Sequence, residues 1–558
     1  MQKICKGCGG AFEITSDDLN FYEEISPVIG NAKMSLPPPT HCPECRLIRR
    51  LSFRNERFLY HRKSDLTGKQ IVSMYAADKP YVVYDQDEFW SDQWDELSYG
   101  REFDFGKTFS EQCSALGLCV PHQALFTTNV ENSYYTNHTL NMRNCYLLFG
   151  GGNSEDCLFG RFVVDSKNCL DGLSLYSCQW CYEGSASQNC YECFFFSNCR
   201  NCSSSLMIKD CQSCKNCCLC FGLHNREYCF LNEQLSREEY QRRIGALFPL
   251  THATIENLKS QLEKLRSPLP HRGSHIYGSE DCTGDMIFSS KNCHSSFDIT
   301  DGEDSKYLCY TPKALRSYDC TYNAPDGVKW ACEAGSTVGV EHAFSTFMCW
   351  YGDNQWYSRE CHGCSDIFGC ISLRKKKYCI LNKQYTKEEY EMLVPKIIEH
   401  MRKTGEWGEH FDPSLSYMGY NETVAQEQFP KKREEVEAKG WHWYEDREKK
   451  DAYLGPAITP PLTINNVPDS ICDQILRCSV SGKPFKIIPQ ELKFYRTMGL
   501  PLPSRCPDQR HADRVVARNP RRLWSRTCAK CGKQMKTTFS PDHSEVIYCE
   551  ECYLSSVN

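Results

Sequence analysis

Cysteines recur at fixed intervals through the middle of this 558-residue chain, and this repeat constrains the fold more than any other feature. Residues 145 to 229 contain 15 cysteines. One series advances in steps of 12 or 9 residues: Cys145, Cys157, Cys169, Cys178, Cys190, Cys199, Cys211 and Cys220. A second series follows three residues behind: Cys181, Cys193, Cys202 and Cys214. A step of 12 and a step of 9 make a 21-residue period, which predicts a β-solenoid with about 21 residues per coil.

The residue before each cysteine of the first series is usually asparagine or aspartate, as at Asn144, Asp156 and Asn189. These side chains tolerate left-handed backbone geometry, so they predict a corner that recurs in each coil. Short β-prone segments such as residues 146–149 lie between the corners.

A second cysteine-rich segment, residues 282–379, repeats the first. Five cysteines of the first segment reappear 150 residues later, at Cys349, Cys361, Cys364, Cys370 and Cys379. Each segment is followed by a capping-box sequence, Ser236 with Glu239 and Thr386 with Glu389, which predicts a helix start. Because a solenoid needs its open end covered, we expect both helices to be caps. A connecting helix that packs on the solenoid is predicted from an apolar stripe: Ile255, Leu258, Leu262 and Leu265.

Both ends of the chain carry paired cysteines in related surroundings, because residues 1–90 and 475–555 align by eye. Together they predict a unit with two successive four-ligand sites. The N-terminal copy keeps the first site: Cys5, Cys8, Cys42 and Cys45. The C-terminal copy keeps the second: Cys528, Cys531, Cys549 and Cys552. The lost second site of the N-terminal copy now reads Ser64, Thr67, Asp85 and Glu88. The lost first site of the C-terminal copy keeps only Cys478 and Cys506.

Two Cys-x2-Cys pairs suit Zn²⁺, because four thiolates close the tetrahedron and leave no open position. We therefore expect about two structural zinc ions per chain, whose binding contributes to folding. An iron or iron–sulfur site and a metal-free pair of turns are the alternatives.

The sequence Cys5-Lys-Gly-Cys8-Gly with the later Cys42-Pro-Glu-Cys45-Arg resembles treble-clef zinc fingers. The whole layout resembles a family of uncharacterised cysteine-rich zinc-binding proteins from uncultivated small-genome bacteria. That resemblance rests on Cys42-Pro-Glu-Cys45-Arg, on Lys387-Glu-Glu-Tyr390 and on Lys483-Pro-Phe-Lys-Ile-Ile-Pro489. It implies zinc-binding end domains and brings no known activity with it.

Arginine-rich segments follow the first cysteine-proline motif at each end of the chain. Such side chains beside aromatic residues can bind phosphates and stack on bases. The residues predicted to bind nucleic acid, most plausibly RNA, are Arg49, Arg50, Arg54, Arg514, Arg518 and Arg522. A solvated or internally paired face and a contact with a protein partner are the alternatives.

The solenoid cysteines have three interpretations. They could be small buried apolar side chains of the core, ligands of further metal ions, or redox-active thiols. The second segment keeps only one of the Cys-x2-Cys pairs, Cys361 with Cys364, so pairing is not required for the coil. We therefore favour core packing.

Composition bounds the function. The 38 cysteines, in a chain whose first residues form no apolar leader, favour reduced thiols in a cytoplasmic protein. A formal charge of −6 does not indicate a general polyanion binder. The sequence shows no membrane-length apolar run and no catalytic motif. We predict a non-enzymatic, zinc-stabilised binding or scaffold protein with RNA or another protein as partner; the alternative is a thiol- or metal-dependent enzyme or a metal store that uses the solenoid cysteines.

The predicted fold is mainly β with short helices, and two zinc-ribbon or treble-clef-like ends flank two cysteine-rich β-solenoid lobes. The predicted segments are an N-terminal ribbon (1–95), a connector (96–130), lobe 1 with its cap (131–248), a helical connector (249–272), lobe 2 with its cap (273–410), a charged, proline-rich linker (411–469) and a C-terminal ribbon (470–558).

Overall fold

The computed structural model describes residues 1–161, 170, 172–176, 181–323, 325–445, 455 and 457–557. Cys169 and Cys178 of the predicted series lie outside the described residues. The chain divides into two compact units. The first unit holds residues 1–125, 275–444 and 521–523, and the second holds residues 126–274, 445–520 and 524–558. The first unit therefore combines the N-terminal end with solenoid lobe 2, and the second combines lobe 1 with most of the C-terminal end.

The α-helices of the described residues are α1 (Ser16–Ile25), α2 (Pro43–Leu51), α3 (Gln86–Phe89), α4 (Phe109–Gly117), α5 (Arg237–Gly245), α6 (His252–Arg266), α7 (Lys387–Thr404), α8 (Val424–Gln428), α9 (Arg433–Glu437), α10 (Pro489–Met498), α11 (Pro507–Val516) and α12 (Glu550–Val557).

Parallel β-strands form the two predicted solenoid lobes. Lobe 1 contains Thr127–Glu131, Thr139–Arg143, Gly152–Glu155, Leu173–Tyr176, Tyr182–Gln188, Tyr191–Ser197, Ser203–Lys209, Lys215–Phe221 and Glu227–Phe230. Lobe 2 contains Ile276–Tyr277, Gly284–Phe288, Lys291–His294, Ser296–Thr300, Glu303–Lys306, Ala314–Leu315, Tyr318–Thr321, Val328–Gly335, Val338–Phe347, Trp350–Trp356, His362–Phe368 and Lys377–Ile380. Each stack ends in one antiparallel strand, Glu233–Gln234 or Lys383–Gln384.

Strand register sets the coil at 12 residues, and the predicted 21-residue coil is wrong. Ser203 pairs with Lys215 in lobe 1, and Val340 pairs with Gly352 in lobe 2. One coil of lobe 2 is longer, because Leu315 pairs with Lys329. The 21-residue period arises because it adds one full coil to three of its four sides.

A left-handed corner every third residue explains this small coil. Positive φ values recur at Asn141, Asn144 and Leu147, and the same interval continues through most of both lobes. Four corners close one coil of 12 residues, instead of the single corner per coil that the sequence suggested. Asparagine suits these positions because its side chain tolerates positive φ. Its amides also stack from coil to coil: Asn129 Nδ2 donates to Asn141 Oδ1 at 2.8 Å, and Asn141 Nδ2 donates to Asn153 Oδ1 at 2.8 Å.

The residue after each corner points into the coil, so four side chains per coil share a narrow interior. In lobe 1 these buried residues include Met142, Cys145, Leu148, Cys157, Cys181, Cys190, Cys193, Cys199, Cys202, Cys211, Cys214, Cys217 and Cys220. In lobe 2 alanine, valine, isoleucine and leucine take many of the same places. Cysteine fits because it is small and apolar. Its thiol also finds carbonyl acceptors, as at Cys199, whose Sγ lies 3.2 Å from Ser197 O.

The capping helices begin where the sequence predicts. Ser236 Oγ accepts a hydrogen bond from Glu239 N ahead of α5, and Thr386 forms the complete capping box with Glu389 ahead of α7. Tyr240 of α5 packs edge-on against Tyr228 of the last coil, with ring centroids 5.8 Å apart. Helix α6 buries Ile255 and Leu258, and it packs on strands of lobe 1 as expected.

Short antiparallel hairpins build the two ends. In the first unit they are Gln2–Ile4 with Ala11–Glu13, Val28–Ile29 with Ala32–Lys33, and Tyr60–Lys63 with Gln70–Ser73; Val83–Tyr84 pairs in parallel with His122–Gln123. In the second unit they are Leu476–Arg477 with Pro484–Phe485 and Trp524–Thr527 with Gln534–Thr537; His271–Arg272 pairs in parallel with Ile547–Tyr548.

The predicted linker 411–469 contains folded structure that the sequence did not indicate. Phe411, Tyr420, Val424 and Val436 are buried in the first unit, within the segment that carries α8 and α9. Residues 446–454 and 456 of the predicted linker lie outside the described residues.

The interior position of Cys190 yields a test of core packing. Cys190→Ala should lower the free energy of unfolding by about 1 kcal/mol, because it removes one small buried group. Cys190→Leu should cost more, because the coil has no room for two further carbons. Denaturant unfolding measures both, with Cys119→Ala, at an exposed position, as the control. Loss of bound metal in Cys190→Ala would contradict the packing role.

Candidate metal centres

The four predicted N-terminal ligands meet in the structure. The Sγ atoms of Cys5, Cys8, Cys42 and Cys45 all lie within 4.8 Å of one another. Cys5 and Cys8 belong to a tight turn after strand Gln2–Ile4. Cys42 is the N-cap residue of α2, and Cys45 lies in the first turn of that helix. A turn and a helix start, each with two cysteines, thus converge on one point.

The four C-terminal ligands converge in the same way. The Sγ atoms of Cys528, Cys531, Cys549 and Cys552 lie within 4.8 Å of one another, and Cys531 Sγ is 3.7 Å from Cys549 Sγ. Cys549 immediately precedes α12, and Cys552 lies inside it. The amide of Cys549 donates to Cys528 Sγ at 3.3 Å, as the amide of Cys42 donates to Cys5 Sγ at 3.2 Å.

Both clusters have the chemistry of a structural zinc site. Hydrogen bonds, first from Cys45, lower the pKa of Cys42 to about 5. Burial raises the pKa of Cys528, but backbone amides of Cys549 and Cys531 outweigh it and bring the value to about 6. Thiolates are the form that binds zinc, and four of them leave no coordination position for substrate.

The same turn occurs four times in the chain. In each turn a first residue accepts from a glycine amide four positions later at 2.9 Å, and that glycine has φ between 69° and 76°. We call these module 1 (residues 5–45), module 2 (64–88), module 3 (478–509) and module 4 (528–552). Their glycines are Gly9, Gly68, Gly482 and Gly532. Modules 2 and 3 therefore keep the backbone of the turn at the positions where the sequence predicted lost sites.

Module 2 replaces the metal with hydrogen bonds. The hydroxyl groups of Ser64 and Thr67 both donate to the carboxylate of Glu88. Asp85 caps α3 and pairs with Lys69, whose Nζ lies 2.6 Å from Asp85 Oδ2. The four degenerate positions thus still meet, with a carboxylate at their centre.

The three N-terminal arginines predicted to bind RNA are buried and paired. Arg49, Arg50 and Arg54 are 8%, 2% and 5% exposed. Arg49 Nη1 lies 2.9 Å from Glu409 Oε2, and Arg54 Nε lies 2.6 Å from Glu56 Oε1. These contacts match the internally paired alternative. RNA binding through these residues stays a prediction, and their burial counts against it.

The C-terminal arginines differ in exposure. Arg514 is buried on α11, Arg518 is half-buried, and Arg522 is exposed. Arg522 Nε lies 3.3 Å from Glu44 Oε2. RNA binding by these three residues also stays a prediction.

A buried charge cluster joins module 1 to lobe 2 within the first unit. Arg46 Nε lies 2.9 Å from Asp319 Oδ2, and Arg50 Nη1 lies 2.6 Å from Glu333 Oε2. Sequence analysis missed both acids, although each occupies a left-handed corner whose side chain must point outward from the coil. Nearby, the rings of Phe21 and Tyr318 stack with centroids 3.7 Å apart.

The solenoid cysteines do not assemble into a further metal site in the described part of the chain, where clusters of three or more close ligand atoms occur at modules 1 and 4. Burial raises the pKa of Cys320 and of Cys364 to about 12, so these thiols stay protonated. These observations favour core packing.

The second unit also contains a cavity of about 490 Å³ between lobe 1, α6 and α11. Its charges largely pair with one another: Arg505 with Asp513 at 2.5 Å, Arg266 with Glu263 at 2.6 Å and Lys259 with Glu256 at 3.2 Å. The lining therefore indicates no particular class of ligand.

Comparison with known proteins agrees with the zinc assignment. Residues 521–556 match a family described as "Probable treble clef zinc finger", and this range contains all four ligands of module 4. No curated protein matches the chain. Within the described residues, no helix is both long and apolar enough to cross a membrane.

Removal of one ligand tests each centre. Cys8→Ser and Cys531→Ser should each lower bound zinc from about two ions per chain to about one, because three thiolates hold zinc less tightly than four. Elemental analysis of reduced protein measures this, with Cys119→Ser as the control. Full zinc content in both variants would refute the assignment.

The buried cluster yields a stability test. Glu333→Gln should lower the free energy of unfolding by about 3–5 kcal/mol, because it leaves arginine charge buried without its partner. Glu341→Gln is the matched control, since Glu341 pairs with Lys329 at 2.8 Å on the surface. That control should cost under about 1 kcal/mol. Equal losses in the two variants would show that the buried pair contributes nothing special.

Proposed function

We propose that this is a non-enzymatic scaffold protein of the cytoplasm, in which zinc holds the end modules against β-solenoid lobes that bind a protein partner. The observation that carries this proposal is the position of the first metal centre at the start of α2. The same helix that supplies Cys45 also supplies Arg46 and Arg50 to the buried charge cluster.

The zinc site and the solenoid contact are therefore mechanically coupled within the first unit. Zinc fixes the first turn of α2, and one further turn of helix reaches Asp319 and Glu333. Helix α2 packs against strands Tyr318–Thr321 and Val328–Gly335. Loss of zinc would free the helix start and expose buried arginines, which is unfavourable. This is the arrangement of a structural metal, and it suits a rigid binding surface better than a catalytic site.

A solenoid supports such a role because stacked coils present long, regular faces to a partner. The cysteines fill the interior, so their number reflects the narrow coil and does not require metal storage. The stacked asparagine amides further stiffen the outer corners.

Metal stoichiometry separates the scaffold from the metal store. We expect about two zinc ions per chain after purification under reducing conditions, and a chelator should release both while the lobes keep their β-structure by circular dichroism. Limited proteolysis of the zinc-free protein should then cut near α2 first. Four or more metal ions per chain would instead support the metal store.

RNA binding is tested on the arginines that can be changed without opening the core. Arg518→Glu with Arg522→Glu should weaken RNA binding, and binding should fall between about 50 and 200 mM salt if phosphate contacts contribute. Labelled single-stranded RNA and fluorescence anisotropy measure this. Absence of binding at low salt would leave the protein-partner scaffold; salt-sensitive binding lost in the variant would replace it with an RNA-binding function.

A further inference from the structure

Module 3 retains two cysteines with no metal-binding partners. Cys478 and Cys506 occupy the first and third ligand positions, and Ser481 and Gln509 occupy the second and fourth. The turn is preserved, since the amide of Cys478 donates to Lys483 O and the amide of Gly482 donates to Cys478 O, both at 2.9 Å. Helix α11 starts at the third position, as α2 does in module 1.

The side chains around the two sulfurs do not complete a metal site. Ser481 N lies 3.5 Å from Cys478 Sγ, and Ser481 Oγ lies 3.8 Å from Cys506 Sγ. The Gln509 amide donates to Asp513 Oδ1 at 2.9 Å instead. A neutral hydroxyl and a remote amide are poor zinc ligands beside two thiols. The module thus holds two thiols next to each other in a frame built for close sulfur atoms.

We propose that Cys478 and Cys506 are a redox-active thiol pair, which a hydroperoxide converts reversibly into a disulfide. The Cys478 thiolate attacks one oxygen of the hydroperoxide; the O–O bond breaks, Cys478 becomes a sulfenic acid, and alcohol or water leaves. The Cys506 sulfur then attacks the Cys478 sulfur, the S–O bond breaks, and water leaves. A small thiol reductant returns the pair to the reduced state by thiol–disulfide exchange.

The surroundings distinguish these thiols from the others in the chain. Burial raises the pKa of Cys478, but hydrogen bonds from Ser481 and backbone amides bring it down to about 6, so the thiolate is present at neutral pH. Burial raises the pKa of Cys506. Both side chains are 3% exposed, but residues 479–482 of the turn that covers them are exposed. Solenoid thiols lie inside coils, and module 1 and 4 thiolates would be bound to zinc.

Peroxide treatment of the zinc-loaded full-length protein tests the pair. Hydrogen peroxide at a few equivalents, followed by alkylation in denaturant and mass spectrometry, should yield a peptide cross-linked between Cys478 and Cys506. Dithiothreitol should reverse the cross-link, and Cys506→Ser should abolish it. Cys361 and Cys364, also two residues apart from a shared turn but buried in lobe 2, should remain alkylated as the control. Unchanged alkylation of Cys478 and Cys506 would overturn the proposal.

A second variant tests the geometry without relying on loss of a side chain. Ser481→Cys with Gln509→Cys should rebuild the four-thiolate site, raise bound zinc from about two to about three ions per chain, and block the cross-link. Bound zinc that stays at two, together with absence of a cross-link in the parent, would show that the two sulfurs are not held together. Three zinc ions in the parent would also overturn the proposal, because module 3 would then be a metal site.

Discussion

A left-handed backbone conformation at every third residue determines the shape of both lobes. Each such corner turns the chain, four corners return it to its starting point, and the next coil begins 12 residues later. L-amino acids resist positive φ, so the corners must be stabilised elsewhere. Parallel backbone pairing along the stack and the asparagine side-chain ladders provide that stabilisation. Because a coil of this size leaves so little interior space, the core selects cysteine and other small apolar residues.

The zinc modules depend on the solenoid in turn. A module of this kind has only a small core, such as Cys5, Phe12 and Ile14 in module 1, and metal binding supplies much of its folding free energy. Its helix then extends to a solenoid side, where Arg46 and Arg50 meet acids carried by corner residues. Corners are the places where a coil can present a charged side chain outward at a fixed position. The regular backbone thereby becomes a docking surface for the chain's own end.

Four versions of one turn show how its frame can be filled. Modules 1 and 4 bring four thiols together, module 2 places the carboxylate of Glu88 between two hydroxyl groups, and module 3 holds two thiols beside a serine. In each case the backbone is held by the same amide-to-carbonyl bonds and by a glycine with positive φ. The frame therefore persists when its ligands change, and module 3 has the composition of a redox pair more than that of a metal site.

The sequence by itself determined the features that depend on near neighbours. The ligand pairs of the zinc centres, the starts of α5 and α7, and the apolar stripe of α6 are local patterns, and the structure confirms them. Tertiary structure decided what depends on closure and on distant partners. The spacing of cysteines could not reveal the 12-residue coil, because steps to the next coil and steps to a neighbouring side both place a thiol inside. The fate of Arg46 and Arg50 could not be read either, because Arg46 and Asp319 are 273 residues apart and meet only when α2 packs on lobe 2.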